Sequence, residues 1–462
     1  MKRLTALLLT CALFAAALTA CAQHGADSTS SSAAPSPLSQ DALAQPTYPK
    51  LASYPNEKDY VKANGDFDSD GFQAAYDAWQ ADQQKQQNQS KDYQDGLNQF
   101  CANHLSAFFQ GEQKGNQVCS PLNLYLALGM LTEVTTGESQ KQILQVLGSK
   151  DPATLRAQVS ALWNANYNDD GTVTSRLASS LWLNEDVPYT QKTLDALAQH
   201  YYTSTFRGKM GSASYNKALQ TWLNEQTGGM LKEQAEGVTL EPETLIALAT
   251  TLYYRAQWTD QFNKSNTKPD TFHGSDGDVT CDFLHQSRTG SYYWGDRFSA
   301  VSQALENSGF LWFFRPEDGE TPEALLQDKQ VQKLLTHPDG WKQTKYLTIH
   351  RSIPKFDVAS DLDLQESLHT LGITDVFDRK KADFSPLTQD KQPAYLSQAK
   401  HAARVTIDED GCTAASFTVM SVDAMSAPPA EEVDFVLDRP FLFVLTGADG
   451  SPLFVGIVRQ PA

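Results

Sequence analysis

His401-Ala-Ala-Arg-Val-Thr-Ile-Asp-Glu409-Asp410-Gly411-Cys412-Thr413-Ala414-Ala415-Ser-Phe-Thr-Val-Met-Ser-Val-Asp-Ala-Met425-Ser426-Ala-Pro-Pro-Ala430 is the stretch on which the fold turns. Residues 403–408 read as a strand, because Val405 and Ile407 alternate with Arg404, Thr406 and Asp408. Acidic residues and Gly411 then mark a turn. The dozen residues that follow do not resemble an ordinary loop. The even positions Cys412, Ala414, Ser416, Thr418, Met420, Val422 and Ala424 are all small or apolar. The odd positions hold Thr413, Ser421 and Asp423, with Phe417 and Val419 as exceptions. A period of two with one small, apolar face describes a strand that can be buried on one side. Pro428-Pro429 ends it. The segment reads as a strand not yet placed in a sheet, behind a glycine hinge. Its plainer reading is a surface loop beside a β-hairpin.

Glu409-Asp-Gly-Cys-Thr-Ala-Ala415 resembles the hinge of the serpins, the serine-protease-inhibitor family, which reads acidic, any, Gly, small, any, Ala, Ala. The resemblance implies a scissile bond about seventeen residues from the acidic start, which is Met425–Ser426. Asp438-Arg-Pro-Phe-Leu-Phe443 is similar to the family's C-terminal Pro-Phe strand. Further blocks occur in family order: Asn116–Leu131 around Ser120-Pro121, the Thr227-Gly-Gly turn, Leu245–Trp258 with Phe262, and Ile353-Pro-Lys-Phe356 through Ser385. Together they span roughly residues 91–462.

The fold so implied is α+β: one large domain over 91–462 with a big central mixed sheet, two smaller sheets, about eight or nine helices and an exposed reactive loop. The length of 462 residues taken alone suggests about three domains. Phe100, His104, Ala107 and Phe108 mark one helix face. Ser139-Gln-Lys-Gln142 reads as a capping box, with Ile143, Leu144 and Leu147 on the apolar face and Gly148 as the left-handed stop. Asp449-Gly450 is a hairpin signal.

Ahead of that domain stand three segments. Residues 1–20 read as a lipoprotein signal peptide: Lys2-Arg3 begin it, Leu4–Leu18 form a short apolar core, and Leu18-Thr-Ala-Cys21 resembles a bacterial lipoprotein cleavage box. Cys21 is then the lipid anchor on the outer face of a bacterial cell membrane. A plain signal peptide cut near Ala20 is the alternative. Residues 21–45 are a Ser/Ala/Pro tether without a core, spanning roughly 25–30 Å as a flexible chain. Residues 46–90 form an acidic, helical extension. Asp66, Asp68, Asp70 and Gly71 have the opening spacing of a calcium loop, but position twelve is Asp77 and no helix precedes it. An acidic turn before a helix fits better, and that helix carries Phe72, Tyr76 and Trp79 as a stripe for the main domain.

The net charge of −18 argues against nucleic acid and against an anionic membrane surface as partners, so any membrane contact falls to the lipid alone. The sequence has no Gly-x-Ser-x-Gly, no His-Glu-x-x-His and no phosphate-binding Gly-rich loop, and its nine histidines lack metal-ligand spacing. Neither an enzyme, a metal nor a cofactor is expected. Cys101, Cys119, Cys281 and Cys412 show no Cys-x-x-Cys and read as free, mostly buried thiols.

The resemblance implies an extracellular, monomeric inhibitor of serine proteases, which offers its loop as a substrate and inserts the cleaved segment into the central sheet. Met425 before the bond suits elastase-like pockets, and chymotrypsin- or subtilisin-like ones less specifically. It also implies a polar cluster beneath the sheet opening, at Ser120, Asn123, Thr250 and His401. Two of these depart from the family pattern: an amide has arrived at Asn123, and one is missing at Thr250. A buried amide needs partners, so the change either moves the amide across the network or weakens control of sheet opening. A non-inhibitory serpin-fold binding protein and a surface adhesion lipoprotein remain as alternatives, and the second leaves residues 409–426 unexplained.

Overall fold

The computed structural model describes residues 42–110, 115–389, 394–412 and 431–461. Two sheets organise these residues. One has seven strands, in the order β11 (Phe356–Asp363), β12 (Lys400–Ile407), β13 (Gly411–Cys412), β5 (Ile246–Gln257), β3 (Thr174–Asn184) and β2 (Asn168–Asp169), with β4 (Thr203–Gly208) also on β3. It is mixed, because β4 joins β3 in parallel while the other pairs are antiparallel. The other has nine strands, in the order β1 (Gln117–Cys119), β16 (Pro452–Val458), β15 (Phe441–Thr446), β9 (Phe310–Pro316), β8 (Phe298–Ala304), β7 (Gly277–Trp294), β10 (Thr344–Pro354) and β14 (Glu432–Val436), with β6 (Lys268–Gly274) also on β7.

Two smaller sheets are expected from the sequence, and one continuous sheet is found. The reason is β7, an 18-residue strand. Its first part pairs with β6, its last residues with β8, and β10 lies along most of its length. Both expected sheets therefore share one backbone.

The described residues form eleven α-helices: α1 (Ser69–Gln87), α2 (Asp95–His104), α3 (Pro121–Glu133), α4 (Gly137–Val146), α5 (Pro152–Asn166), α6 (Gln191–Tyr201), α7 (Ala213–Gln226), α8 (Lys232–Glu236), α9 (Pro322–Leu326), α10 (Lys329–Thr336) and α11 (Gln365–Thr370). Two of them, α8 and α9, are only five residues long.

Helix α3 is central. Pro121 starts it at the first turn, where a missing N–H costs nothing, and the Ser120 hydroxyl accepts from the Asn123 N–H. Almost every α3 side chain is buried, Tyr125 and Met130 completely. A helix apolar all round belongs in a core. Behind it, β15 and β16 are near-continuous apolar runs buried on both faces.

The expected capping box at Ser139–Gln142 does not form. Helix α4 begins two residues earlier, at Gly137, so both side chains lie inside it and bond elsewhere. The Ser139 hydroxyl accepts from the Asp383 N–H, and Gln142 Oε1 accepts from the N–H groups of Thr374 and Asp375. They tie α4 to the 374–383 segment, a distant contact that local spacing does not show.

Residues 42–88 lie on the main body. The Leu43 N–H donates to the Thr205 carbonyl, and the Thr205 N–H donates to the Ala44 carbonyl, at 2.7 and 2.9 Å. Tyr48 packs among Trp163, Tyr167 and Tyr202. The stripe on α1 divides its work. Trp79 is buried and its indole N–H donates to the Asp170 carboxylate at 2.7 Å. Phe72 and Tyr76 pack on Tyr60 and Tyr54 of the extension itself. Asp68 pairs with Lys62 at 3.3 Å. Among the described residues no group of three or more His, Cys, Asp or Glu side chains is placed to hold a metal ion.

Candidate functional site

The hinge residues stand at one end of the seven-stranded sheet. Strand β12 ends at Ile407, the chain turns through Asp408-Glu409-Asp410, and β13 returns between β12 and β5. Cys412 pairs with Ile407 on one side and Ala256 on the other, and Gly411 pairs with Gln257. Among the described residues, this two-residue strand is the ladder connection between β12 and β5.

Side chains fix the turn. Asp408 Oδ1 accepts from the N–H groups of Asp410 and Gly411, at 2.9 and 3.0 Å. Trp258, just past β5, donates its main-chain N–H to the Asp410 carbonyl at 3.1 Å and its indole N–H to the Asp408 carbonyl at 2.8 Å. Glu409 is 8% exposed and receives Lys355 Nζ at 3.0 Å and the Thr267 hydroxyl at 2.8 Å. Burial raises its pKa, but the bonds from Thr267 and Lys355 outweigh burial and hold the carboxyl below its ordinary value. Asp410 pairs with the exposed Lys264 at 3.0 Å.

Gly411 is required by space rather than by backbone dihedral. Its φ is not among the positive ones, yet a Cβ would stand 2.4 Å from the Ala256 carbonyl oxygen and 2.8 Å from the Gln257 Cα. Cys412 is 1% exposed, and burial pushes its thiol up to about 12. A thiol held protonated is a packing group here, not a nucleophile.

Away from the hinge a cleft runs beside β5. Ala247, Ala249 and Thr251 of β5, Ala402 of β12, and Leu219 and Leu223 of α7 line it. Its walls are mostly small or apolar, which suits the small apolar face of residues 412–424.

The four cluster residues come together under that cleft. The Ser120 main-chain N–H donates to His401 Nε2 at 3.0 Å. Nε2 is therefore an acceptor, and the neutral ring carries its proton on Nδ1. Burial drives the His401 pKa down to about 4. The Asn123 amide donates from Nδ2 to the Thr250 main-chain carbonyl at 3.2 Å. The first turn of α3 thus holds β12 through His401 and β5 through Thr250. The amide that is missing at Thr250 has its counterpart on α3, and it reaches the β5 main chain instead of a side chain.

Thr413, Ala414, Ala415, Met425, Ser426 and Cys21 fall outside the described residues. On the other side of residues 413–430, Glu431 and Glu432 pair with Lys345 at 2.8 Å and His350 at 3.3 Å. Lys355, Thr267, Trp258 and Phe262, whose N–H donates to the Glu409 carbonyl at 3.0 Å, also belong to the site, and the hinge motif does not point to them. Trp258 and Phe262 stand together in the sequence block after β5, which is the one signal available for them. Lys355 lies in the Ile353–Phe356 block, which does not show that it reaches Glu409, and Thr267 carries no signal.

The model of the family described as Serpin (serine protease inhibitor) matches residues 95–461. The chain belongs to the serpin family. It is 28% identical over 374 residues to plasminogen activator inhibitor 1 of Sus scrofa, covering 76% of this chain and 88% of that protein. It is 27% identical over 360 residues to alpha-1-antitrypsin 1-5 of Mus musculus, covering 74% and 82%. Among solved structures it resembles the native state of the thermophilic serpin tengpin, with a TM-score of 0.71, 21% identity, and 81% and 95% of the two chains covered. Human thyroxine-binding globulin complexed with its hormone superposes with a TM-score of 0.67 at 22% identity, over 79% of this chain and 98% of that one. Protease inhibition is the family's usual activity, and thyroxine-binding globulin is a member that does not inhibit.

Proposed function

We propose that this serpin is an inhibitory one, tethered through Cys21 outside a bacterial cell, which traps elastase-like serine proteases at Met425–Ser426. The observation that carries the reading is β13. The hinge dipeptide is already seated between β12 and β5, with Gly411 in main-chain contact with β5. Further along the same two strands, residues of β5 and β12 line a largely apolar cleft, and the residues that follow Cys412 in sequence alternate with one small face. Cleavage by the protease serine forms an acyl-enzyme and frees the segment from Cys412 onward. Insertion of some thirteen residues, at about 3.3 Å each, carries the bound protease more than about 40 Å. This chain supplies no catalytic group; it supplies folding free energy that the intact form has not yet released.

Met425 is apolar and unbranched, and no Lys or Arg lies between Cys412 and Ala430. A primary pocket with a buried carboxylate has nothing to pair with there. The order expected is elastase-like fastest, chymotrypsin-like slower, trypsin-like none, with Met425→Arg redirecting the protein to trypsin-like enzymes.

Phe417 favours a second reading, a non-inhibitory serpin. It is the one bulky aromatic in the segment 412–424, and a side chain of that size slows entry of the segment into a sheet. A denaturing gel separates the two readings. An inhibitor gives a denaturant-resistant complex with elastase and a released fragment beginning at Ser426. A non-inhibitory protein gives the cleaved fragments alone.

A further inference from the structure

Strands β12 and β5 each run antiparallel to β13, so they are parallel to each other, and Ile407, Cys412 and Ala256 form one row. Three residues back along both strands stand Arg404 and Tyr253, on opposite sides of the gap that β13 begins to fill. One face of that gap is closed by the core, in which Val405 and Tyr254 are buried. A strand zipping in behind β13 therefore has to enter from the other face, the one that carries α7.

At the level of Arg404 and Tyr253 that face is barred. The bar is the turn between α7 and α8. Gly228 and Gly229, at φ of 58° and 81°, double the chain back there. A Cβ on Gly228 would stand 2.9 Å from Tyr253 Cζ, so the turn rests on that ring, on the β5 side. On the other side Arg404 donates through Nη1 to the Met230 main-chain carbonyl at 3.0 Å. One short turn thus lies on β5 and is tied to β12.

The guanidinium is set in place for this bond. Its Nε and Nη2 grip the two oxygens of Asp357 on β11, and the Thr406 hydroxyl donates to the same carboxylate at 3.0 Å. A planar fork already fixed by two of its nitrogens loses little further freedom when the third donates. Glu233 of α8 attracts the same guanidinium. The apolar packing of α7 belongs to other strands: Leu219 and Trp222 share a cluster with Trp182 of β3, Phe206 of β4 and Ala249 of β5. Towards β12 there is the cleft instead, with Gln234 and Ala235 on one wall and Lys400 and Ala402 on the other. The helix is carried by the β5 side, and Arg404 ties its end to the β12 side.

We propose that Arg404 is a latch, which holds the α7–α8 turn across the gap between β12 and β5 and so sets how readily a further strand enters. The latch acts through position, and Arg404 itself touches no protease. The proposal rests on the reading that the cleaved segment inserts at this gap.

The test compares the full-length parent with Arg404→Met, Arg404→Lys and Arg156→Met. Arg156 makes a similar fork on Glu133, between α5 and α3, so it controls for an orphaned carboxylate and for general loosening. Two rates are read without any protease: amide hydrogen exchange of residues 227–236, and uptake of a synthetic peptide with the sequence of residues 412–424, followed by native gel. Arg404→Met should raise both by about tenfold, the order of one charge-assisted hydrogen bond. Arg404→Lys should fall between, since an ammonium does not fork to Asp357 and Met230 together. Arg156→Met should melt lower and leave both rates as in the parent. With elastase, Arg404→Met should be cleaved fewer times for each protease trapped. Parent-like exchange and uptake in Arg404→Met, or equal acceleration by Arg156→Met, overturns the latch. A parent that neither takes up the peptide nor traps elastase defeats the insertion reading instead. Exchange at 227–236 then still decides the hold on the turn: faster in Arg404→Met supports it, and unchanged overturns it.

Discussion

Gly411→Ala isolates the seating of the hinge. An alanine placed where φ is ordinary and space is open stabilises a protein by roughly 0.4–1 kcal/mol, because the unfolded chain loses freedom. Gly411 meets the first condition and not the second: its added Cβ would stand 2.4 Å from one main-chain atom of β5 and 2.8 Å from another. Ordinary contact between such atoms is about 3.5 Å, so β13 has to retreat by about 1 Å, and main-chain neighbours cannot rotate aside. Overpacking of this kind costs about 1–3 kcal/mol, which exceeds the unfolded-state gain. The net effect is a loss of about 0.5–2 kcal/mol, a fall of a few degrees in the thermal midpoint at fixed scan rate. The same methyl hinders the first step of insertion, so more inhibitor is cleaved for each protease trapped. Scanning calorimetry and a titration of residual elastase activity read the two effects. An alanine variant that melts at or above the parent, with unchanged stoichiometry, refutes the reasoning.

Two further outcomes are expected. His401 has a pKa of about 4 in the fold against about 6.5 unfolded, so below pH 6.5 the unfolded chain takes up a proton that the folded chain refuses. This group's contribution is intact above pH 6.5 and falls away towards pH 4 by about 3 kcal/mol; His401→Gln should flatten that part of the melting-temperature profile, and a profile identical to the parent's counts against a neutral, buried His401. Ala414→Arg puts a charge on the face that insertion buries, at a cost of several kcal/mol, so the variant should be cleaved as a substrate with little trapping, and undiminished complex on a gel contradicts insertion.

How much was legible follows from where the information sits. The turn at Asp408–Asp410 and the return at Gly411 were legible because the acidic run and the glycine are local signals, while the alternation after Cys412 lies outside the described residues. Strand β5 and the hairpin at Asp449-Gly450 were legible for the same reason, and Gly450 has a φ of 82°. The meeting of Ser120, Asn123, Thr250 and His401 was legible only through family resemblance, since they are up to 281 residues apart. Ser139 and Gln142 misled because a capping-box pattern also fits two side chains that bond a distant segment. The shared length of β7 was hidden, since nothing in Gly277–Trp294 tells one sheet from two. The role of Lys355 was silent for a simpler reason: its partner Glu409 is 54 residues away, and nothing local joins the two.

The claim that cleavage releases stored folding free energy is tested most directly by melting the intact protein and the same protein nicked in the loop by a metalloprotease, side by side. The account predicts that the nicked form melts far above the intact one, because a loop has become a central strand with both edges paired. A nicked form that melts at or below the intact midpoint contradicts it.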